Sequence, residues 1–320
     1  MLEIDHLSIG FQGPRGVALA VRDFSLALKG GEILGLVGES GSGKTLVSLA
    51  VMGLLPPAAA VTSGRILLDG QDMLSGAAGP MHRLRGKRIA MIFQDPMASL
   101  DPVFTCGQQI VEAIVLHEGV SRAEARSRAQ ALLERVRITD PRRCLAAYPH
   151  ELSGGMCQRV MIAMALACRP EIVIADEPTT ALDVTVQAQV LDLLREMHRD
   201  TGASILFITH DLGVVYELAE RVAVMYAGTL MEVAPTPALF ANPQNPYTQA
   251  LIDSVPVVGQ RRARLAAIEG RVPPVGAMPP GCRFAPRCGQ VAAICHETEP
   301  ALRRQASEHL LRCHRSGAAS

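Results

Sequence analysis

The chain has no tryptophan, and aromatic residues make up only 3% of its 320 residues. Its core must therefore be aliphatic, and a platform of stacked rings for single-stranded nucleic acid is disfavoured. A net charge is also absent, because 31 basic residues balance 31 acidic ones. Since proteins that bind nucleic acid over their whole length are usually basic, we expect no nucleic-acid partner.

The sequence shows no pattern typical of a membrane-spanning helix or of a signal peptide. The best candidate span, residues 45–64, contains Pro56, Pro57 and several small polar residues, which do not suit a helix in lipid. The N-terminus shows no basic stretch followed by an apolar one. We therefore expect a cytoplasmic protein whose eight cysteines stay reduced.

Aliphatic residues are abundant, and hydrophobic residues in total reach 48%. That content supports a sizeable core and excludes wholesale disorder. At roughly 150 residues per domain, the chain holds one large domain with an extension, or two domains. Residues 261–315 contain ten Arg and four Glu, a net of +6, and include a proline-rich run at 271–280. The organisation of the chain is predicted to change near residues 235–280.

Residues 31–55 have the pattern of a strand, a glycine-rich loop and a helix, and the loop matches G-x-x-x-x-G-K-T. In this context the pattern predicts a P-loop, whose backbone N–H groups and helix N-terminus bind phosphate. Lys44 would reach the β- and γ-phosphates of a nucleotide, and the Thr45 hydroxyl suits Mg²⁺. The predicted binding residues are Gly38, Glu39, Ser40, Gly41, Ser42, Gly43, Lys44, Thr45 and Leu46.

Two further strands are predicted to end in candidate catalytic side chains. Residues 171–176 form an apolar strand that ends in Asp176, a ligand for Mg²⁺, and Glu177 follows as the general base for an attacking water. Residues 204–209 form another strand, and His210 comes directly after it. His210 contacts the γ-phosphate or is a structural histidine; the residues alone leave both open.

A second anion site is predicted where Ser153, Gly154 and Gly155 precede the helical stretch 157–168. With this L-S-G-G-M turn, the P-loop, the strand before Glu177, Ala181-Leu-Asp183 and His210, the chain resembles the ATP-binding-cassette (ABC) ATPases. The resemblance implies a head-to-tail dimer, in which the turn of one subunit closes on the γ-phosphate held by the other. The implied signature residues are Leu152, Ser153, Gly154, Gly155 and Met156.

The same resemblance assigns three more residues. Gln94 matches the glutamine that senses Mg²⁺ and couples to the membrane partner, and Asp183 matches the loop that crosses the dimer interface. Phe11 matches the aromatic residue that stacks on adenine, although a core phenylalanine is an equal alternative. The implied catalytic residues are Glu177, His210 and Lys44, and the implied Mg²⁺ residues are Thr45, Gln94 and Asp176.

Three segments, residues 92–102, 176–189 and 242–251, resemble the dipeptide/oligopeptide/nickel importers within this superfamily. That resemblance implies ATP-driven uptake of peptides, or of nickel or another small solute. It implies two transmembrane permease subunits, an extracytoplasmic substrate-binding protein and a second ATPase subunit. That second ATPase is a paralogue, which we favour, or a second copy of this chain. The protein would then lie peripherally on the cytoplasmic face of the inner membrane. Cys157 departs from the subfamily, which usually has Arg there.

The predicted fold is an α/β P-loop NTPase with an inserted helical subdomain and a small cysteine-containing extension. We place the ATPase domain at residues 1–235, the helical subdomain at about 95–170 and the extension at 236–320. Within the insertion, Ser121 and Glu124 form a capping-box pattern. The helix that follows is predicted to bury one apolar face, made of Ala125, Ala129, Leu132, Leu133 and Val136.

Four cysteines lie in the last 39 residues, at Cys282, Cys288, Cys295 and Cys313. Four thiolates can hold one metal centre, and the spacing alone leaves zinc and iron–sulfur open. The resemblance favours a [4Fe–4S] cluster over Zn²⁺ or unligated thiols, and the surrounding arginines would offset its charge. We interpret the arginine excess as a solvated face or as a surface for anionic lipid. The other cysteines, Cys106, Cys144, Cys157 and Cys168, are interpreted as scattered and structural.

Three rival functions stay open at this point. A soluble ABC ATPase acting on nucleic acid or the ribosome usually has two cassettes or a long coiled coil. A regulatory subunit with an inactive site would not need Lys44, Asp176, Glu177 and His210. An exporter ATPase would not need residues 242–251 or the cysteine tail.

Overall fold

The computed structural model describes residues 1–13, 16–75, 81–180, 182–255 and 268–315. The chain divides into two compact units. The first consists of Met1–Lys29, Ile33–Leu74 and Phe207–Ser320, and the second of Gly30–Glu32 and Ser75–Leu206.

The described strands, in chain order, are β1 (Leu2–Gly13), β2 (Gly16–Leu28), β3 (Ile33–Val37), β4 (Ala59–Leu68), β5 (Gln71–Asp72), β6 (Ile89–Ile92), β7 (Ile172–Asp176), β8 (Ser204–Thr209), β9 (Arg221–Tyr226), β10 (Thr229–Pro235), β11 (Arg303–Ala306) and β12 (His309–Leu311).

The described helices are α1 (Lys44–Met52), α2 (Met81–Leu84), α3 (Pro96–Ser99), α4 (Cys106–Glu118), α5 (Arg122–Arg135), α6 (Pro141–Ala146), α7 (Gly154–Leu166), α8 (Val184–Thr201), α9 (Leu212–Leu218), α10 (Thr236–Ala241), α11 (Pro246–Asp253) and α12 (Ala293–Glu297). Two 3₁₀ turns lie at Pro149–Glu151 and Ala285–Arg287.

The first unit contains an antiparallel sheet in the order β2-β1-β4-β5. Its central strand β1 pairs with β2 and β4, with Leu2 opposite both Leu28 and Leu68. Leu7, Ile9 and Phe24 are fully buried. These aliphatic and aromatic side chains supply a core because β-branched and large apolar residues pack well on a pleated surface.

A second group of strands in the first unit runs in the order β11-β12-β10-β9-β3. β3 pairs in parallel with β9, and every residue of β3 is buried. Parallel strands are covered on both faces, which explains why this strand is continuously apolar. β12 pairs with β10, placing Leu311 opposite Glu232. The C-terminal tail thus joins the sheet that carries β3, although its sequence predicted no strands.

The second unit is largely helical. Helices α5, α6 and α7 all pack against α4, and β6 lies parallel to β7. α5 begins after Ser121, whose hydroxyl accepts a hydrogen bond from the Glu124 amide. The predicted capping box is only half confirmed, because the Glu124 carboxylate instead accepts from Arg128. The predicted apolar face is buried except for Leu132, which is half-buried.

The elements around the predicted motifs are confirmed within two or three residues. The predicted strands at 31–37, 171–176 and 204–209 correspond to β3, β7 and β8, and the helix after the glycine-rich loop is α1. Among the helices of the described residues, none has the length and apolar character to span a bilayer.

Candidate functional site: a phosphate loop and its partners

The loop between β3 and α1 is shaped to hold an anion. Its last residue before α1, Gly43, has a left-handed backbone and supplies no side-chain cap. The first N–H groups of α1 therefore point toward the loop, where a phosphate can accept from them. At the other end, a Cβ on Gly38 would lie 2.1 Å from the carbonyl oxygen of Met225. Only glycine fits at that close approach.

Lys44 lies inside this loop with 5% of its surface exposed. Its ammonium donates to the carbonyl oxygens of Gly38 at 2.7 Å and Glu39 at 3.1 Å. The loop's own backbone thus holds the cation inside the loop, and the predicted contact of Lys44 with phosphate stays a prediction. Thr45, on the first turn of α1, is exposed.

In the second unit, two neighbouring strands bring Gln94 and Glu177 together. Ile92 of β6 pairs with Ala175 of β7, and each functional residue lies two positions beyond its partner in that pair. Gln94 Nε2 donates to Glu177 Oε2 over 3.1 Å. Carboxyl ends of parallel strands meet at one sheet edge, which is why residues 83 positions apart come into contact.

Glu177 is also held by Thr180, whose Oγ1 donates to the same carboxylate oxygen at 2.9 Å. The Glu177 backbone has φ 46°, a left-handed conformation that is uncommon outside glycine. Asp176, one residue earlier at the end of β7, is buried at 1% exposure. A carboxylate oriented by two donors fits the predicted role of general base, and Thr180 is a contact that sequence inspection missed.

The L-S-G-G-M turn starts a helix in the way its sequence predicted. Ser153 is exposed and caps α7, accepting from the Met156 amide at 3.3 Å. Asp183 is exposed at the start of α8 and accepts from Val186. A Cβ on Gly155 would lie 3.2 Å from Val186, so the two helix starts lie against each other. Ala181, part of the motif that includes Asp183, lies outside the described residues.

Two other predicted residues lie in the first unit. His210 is exposed directly after β8, and Asp211 then caps α9. Phe11 is half-buried on β1, opposite Ala18 and Ala59. Their roles toward a nucleotide stay predictions.

Two residues contact the phosphate loop from far along the chain, and the sequence did not predict either contact. The Glu39 amide donates to the Tyr247 hydroxyl at 3.0 Å. The Glu39 carboxylate accepts from Arg287 Nη1, at 3.0 Å for each oxygen. No local pattern could have indicated them, because they follow Glu39 by 208 and 248 residues.

All four tail cysteines line one small cavity. Burial raises the pKa of Cys282 to about 11, against the opposing effect of backbone amides at Phe284 and Ala285. The Gln290 amide donates to Cys288 Sγ at 3.4 Å. In the part of the chain that is described, no three His, Cys, Asp or Glu side chains are grouped so as to hold a metal ion.

The four remaining cysteines are buried, as expected for structural residues, and two that are scattered along the sequence lie side by side. Cys106 and Cys144 hydrogen-bond to each other in the second unit, and both are buried. Cys157 is fully buried near them, and its thiol donates to the Pro149 carbonyl at 3.3 Å. This buried contact explains how a neutral, small residue is accommodated behind the signature turn.

The interpretation of the tail arginines as a solvated face is wrong for three of them. Arg283 and Arg312 are each 4% exposed, and the Arg287 side chain is 5% exposed. Their guanidinium groups donate to backbone carbonyls of the first unit, such as that of Leu230, which accepts from Arg312 at 2.9 Å. The tail packs onto β9 and β10, and its hydrogen bonds hold these three guanidinium groups away from solvent.

A phosphate loop combined with a second glycine-rich helix start in one chain defines the ATP-binding-cassette class of P-loop ATPases. The family model described as ABC transporter matches residues 21–180. A second, described as the C-terminal region of oligopeptide/dipeptide transporters, matches residues 231–295. The chain belongs to the ABC transporter ATP-binding proteins of the oligopeptide/dipeptide type, and it is an ATP hydrolase of that family.

Curated relatives match over almost the whole chain. A probable peptide ABC transporter ATP-binding protein of Sinorhizobium fredii is 49% identical over 318 residues, covering 99% of this chain and 95% of its own length. The dipeptide transport ATP-binding protein of Escherichia coli is 46% identical, covering 98% of this chain and 96% of its own. The oligopeptide transport ATP-binding protein AppD of Bacillus subtilis is 45% identical, with the same coverage.

Solved structures confirm the predicted fold class. A dimeric ATP-binding cassette in a post-hydrolysis state, bound to ADP and Pi, aligns with a TM-score of 0.67 at 26% identity, covering 74% of this chain and 99% of that one. A component of an ABC transporter complex from Clostridium perfringens aligns with a TM-score of 0.63 at 27% identity, covering 75% of this chain and 90% of that one. The fold is that of an ABC-type P-loop NTPase.

Proposed function

We propose that this chain binds and hydrolyses ATP to drive peptide uptake through partner membrane subunits. The observation that carries this is the 45–49% identity, over nearly the whole length, to proteins named for peptide, dipeptide or oligopeptide transport. The match of residues 231–295 to the oligopeptide/dipeptide transporter region supports it. These likenesses favour a peptide transporter over an ABC ATPase that acts on nucleic acid or the ribosome. Nickel or another small solute is the second candidate substrate.

In the proposed reaction, the loop amides and Lys44 stabilise the charge on the phosphates. Thr45 and Asp176 would supply oxygen ligands for Mg²⁺, which neutralises phosphate charge in such reactions. Glu177, oriented by Gln94 and Thr180, takes the proton of the attacking water. His210 and the Ser153 turn of a neighbouring subunit contact the γ-phosphate. Preorganised groups of this kind contribute about 3–4 kcal/mol each at the transition state.

The proposed assembly contains two permease subunits, a second ATPase subunit and an extracytoplasmic binding protein. We propose a paralogue as the second ATPase and a peripheral location on the cytoplasmic face of the inner membrane. The boundaries of the ATPase domain at 1–235, its helical subdomain at about 95–170 and the extension at 236–320 belong to the same proposal. In that division, Gln94 lies immediately before the helical subdomain.

The test is ATPase activity of the chain purified with its co-expressed permease and ATPase neighbours. Peptide-loaded binding protein is expected to stimulate the reconstituted complex, and nickel-loaded binding protein is not. Glu177→Gln should bind ATP, turn over very slowly and accumulate a closed dimer. The matched control is Glu217→Gln, an exposed glutamate on α9. Normal turnover by Glu177→Gln would exclude Glu177 as the base, and stimulation by nickel alone would exclude peptide as the substrate.

We also propose that Cys282, Cys288, Cys295 and Cys313 hold a [4Fe–4S] cluster. Their shared cavity supports this, as do the backbone amides directed at Cys282 and Cys288, because hydrogen bonds to sulfur stabilise such clusters. Their side chains would turn toward one centre and lose their protons on binding. Anaerobically purified protein should contain about four irons per chain, and Cys295→Ser should lose them. Stoichiometric zinc without iron would refute the cluster.

A further inference from the structure

Glu39 has hydrogen-bond partners at its backbone amide, its backbone carbonyl and its carboxylate. Its backbone amide donates to Tyr247, its backbone carbonyl accepts from Lys44, and its carboxylate accepts from Arg287. Two of these three partners come from the C-terminal part of the chain, and all of them lie in the first unit. The backbone position of Glu39 in the loop is therefore set by distant residues as well as by the loop itself.

The Arg287 side chain is buried beside Glu39, with 5% of its surface exposed. Each of its nitrogens donates a hydrogen bond. Nε donates to the Glu269 carbonyl at 2.8 Å, Nη2 to the Ile268 carbonyl at 3.1 Å, and Nη1 to Glu39. Because carbonyls hold Nε and Nη2, the planar guanidinium fixes Nη1 against both oxygens of the Glu39 carboxylate.

Tyr247 and Tyr226 pack beside the ion pair between Arg287 and Glu39. Both are fully buried, and their ring centroids lie 4.7 Å apart, with Phe284 5.2 Å from each. The Arg287 guanidinium lies 5.6 Å from the centre of the Tyr226 ring. The Tyr247 hydroxyl is thus rigidly placed to accept from the Glu39 amide. Burial raises the pKa of Tyr247, so this hydroxyl stays neutral.

A carboxylate in a loop that binds phosphate poses an electrostatic problem. Glu39 lies in the loop next to Gly38, and the backbone carbonyls of both residues accept from the Lys44 ammonium. The loop that receives the anion therefore also carries the negative charge of the Glu39 carboxylate. Like charges in a partly solvated site repel, and a paired cation removes most of that repulsion. Arg287 supplies that cation, and its geometry also fixes where the Glu39 side chain points.

We propose that Arg287 and Tyr247 are positioning residues for ATP binding, Arg287 by neutralising and orienting Glu39, and Tyr247 by fixing its backbone. This inference rests on ATP binding at the phosphate loop. It assigns to the C-terminal extension a direct part in nucleotide affinity, through contacts to a single loop residue.

The test measures binding of ATP, ADP and AMP to the purified full-length chain by calorimetry, with the melting temperature as a check on folding. Arg287→Met should weaken ATP binding about tenfold, the size expected for one uncompensated charge in a partly solvated site. ADP should weaken less, and AMP least, because repulsion scales with phosphate charge. The double variant Arg287→Met/Glu39→Gln should restore ATP affinity to within about twofold, since it removes the unpaired carboxylate.

Tyr247→Phe tests the backbone contact without creating a buried charge. It keeps the ring packing and loses only the acceptor for the Glu39 amide, so ATP affinity should fall about threefold to fivefold at an unchanged melting temperature. Matched controls are Arg303→Met on β11 and Tyr216→Phe on α9, whose side chains are exposed. Both controls should bind ATP like the wild type.

Three results would overturn the proposal. The first is wild-type ATP affinity in both Arg287→Met and Tyr247→Phe. The second is an equal loss for ATP, ADP and AMP in Arg287→Met that Glu39→Gln does not restore, because that marks a purely structural arginine. The third is failure of the wild type to bind ATP, which would refute the proposed function as well, whereas the first two leave that function standing.

Discussion

Replacing Thr180 with valine should slow ATP hydrolysis while leaving ATP binding intact. Thr180 Oγ1 donates to Glu177 Oε2 at 2.9 Å, and Gln94 donates to the same oxygen at 3.1 Å. Valine has nearly the volume of threonine and carries a methyl group in place of the hydroxyl, so Glu177 loses the Thr180 donor and keeps the Gln94 donor. The Glu177 backbone has φ 46°, and its side-chain direction therefore depends on such contacts.

The expected magnitude follows from the burial of the pair. A hydrogen bond to a charged group contributes about 1.5–3 kcal/mol, but Glu177 and Thr180 are only half-buried, so solvent screening reduces this to about 1 kcal/mol. A loss of that size in the transition state alone corresponds to about a fivefold lower kcat. KM for ATP should stay unchanged, because the contact does not involve the phosphate loop.

Steady-state ATPase kinetics of the assembled complex measure this effect. The control is Thr201→Val, which removes a hydroxyl that donates to the Met197 carbonyl at the end of α8; it should lower stability slightly and leave kcat alone. If Thr180→Val turned over at the wild-type rate, or if KM rose with kcat unchanged, Glu177 would not depend on Thr180 and the reasoning would be refuted.

Two further predictions concern the first unit. Gly38→Ala should weaken ATP binding about fivefold or more in a calorimetric titration, because its Cβ would lie 2.1 Å from the Met225 carbonyl and the loop must shift at a cost of about 1–3 kcal/mol. Gly30→Ala, where an added Cβ meets nothing within 4 Å, is the control, and equal affinities in both variants would contradict the steric argument. The second prediction concerns pH: the hydrogen bond to Asp23 raises the pKa of His6, so the stabilisation is fully present below the ordinary pKa of 6.5 and is lost as pH rises through the raised pKa. The melting temperature of the wild type should therefore fall relative to that of His6→Asn as the pH rises above 6.5, and parallel profiles would show that the pair contributes nothing.

The phosphate-binding half of the site could be predicted because its residues are contiguous. The strand at 31–37, the glycine-rich loop and the helix after Lys44 are each specified by neighbours in the chain, so pattern and structure agree. The capping roles of Ser153 and Asp183 could also be predicted, because a helix cap is a contact between residues two or three positions apart.

Contacts that depend on an unusual backbone conformation, on competing partners or on the packing of distant segments could not be predicted in this way. Thr180 beside Glu177 is only three residues away, yet its hydroxyl faces the carboxylate because Glu177 adopts a left-handed conformation, which its residue type does not favour. Other contacts depend on how distant segments pack. Examples are the pairing of β12 with β10 and the hydrogen bond between the Cys106 and Cys144 thiols. Glu124, which fits a capping box by spacing, instead bonds Arg128, since nearby charge offers an alternative partner.

The sequence alone determined the class of chemistry, which is nucleotide phosphate binding and hydrolysis. Each part of the site forms from a short segment with its own local preferences. These parts are the backbone loop around Lys44, the acidic end of β7 and the serine-capped turn at Ser153. Tertiary structure alone decided what the C-terminal arginines do. A guanidinium gains little from a carboxylate in water and much from one held at a fixed distance in a buried site. The contact of Arg287 with Glu39, which lies 248 positions earlier in the chain, therefore exists only once the segments between them have folded.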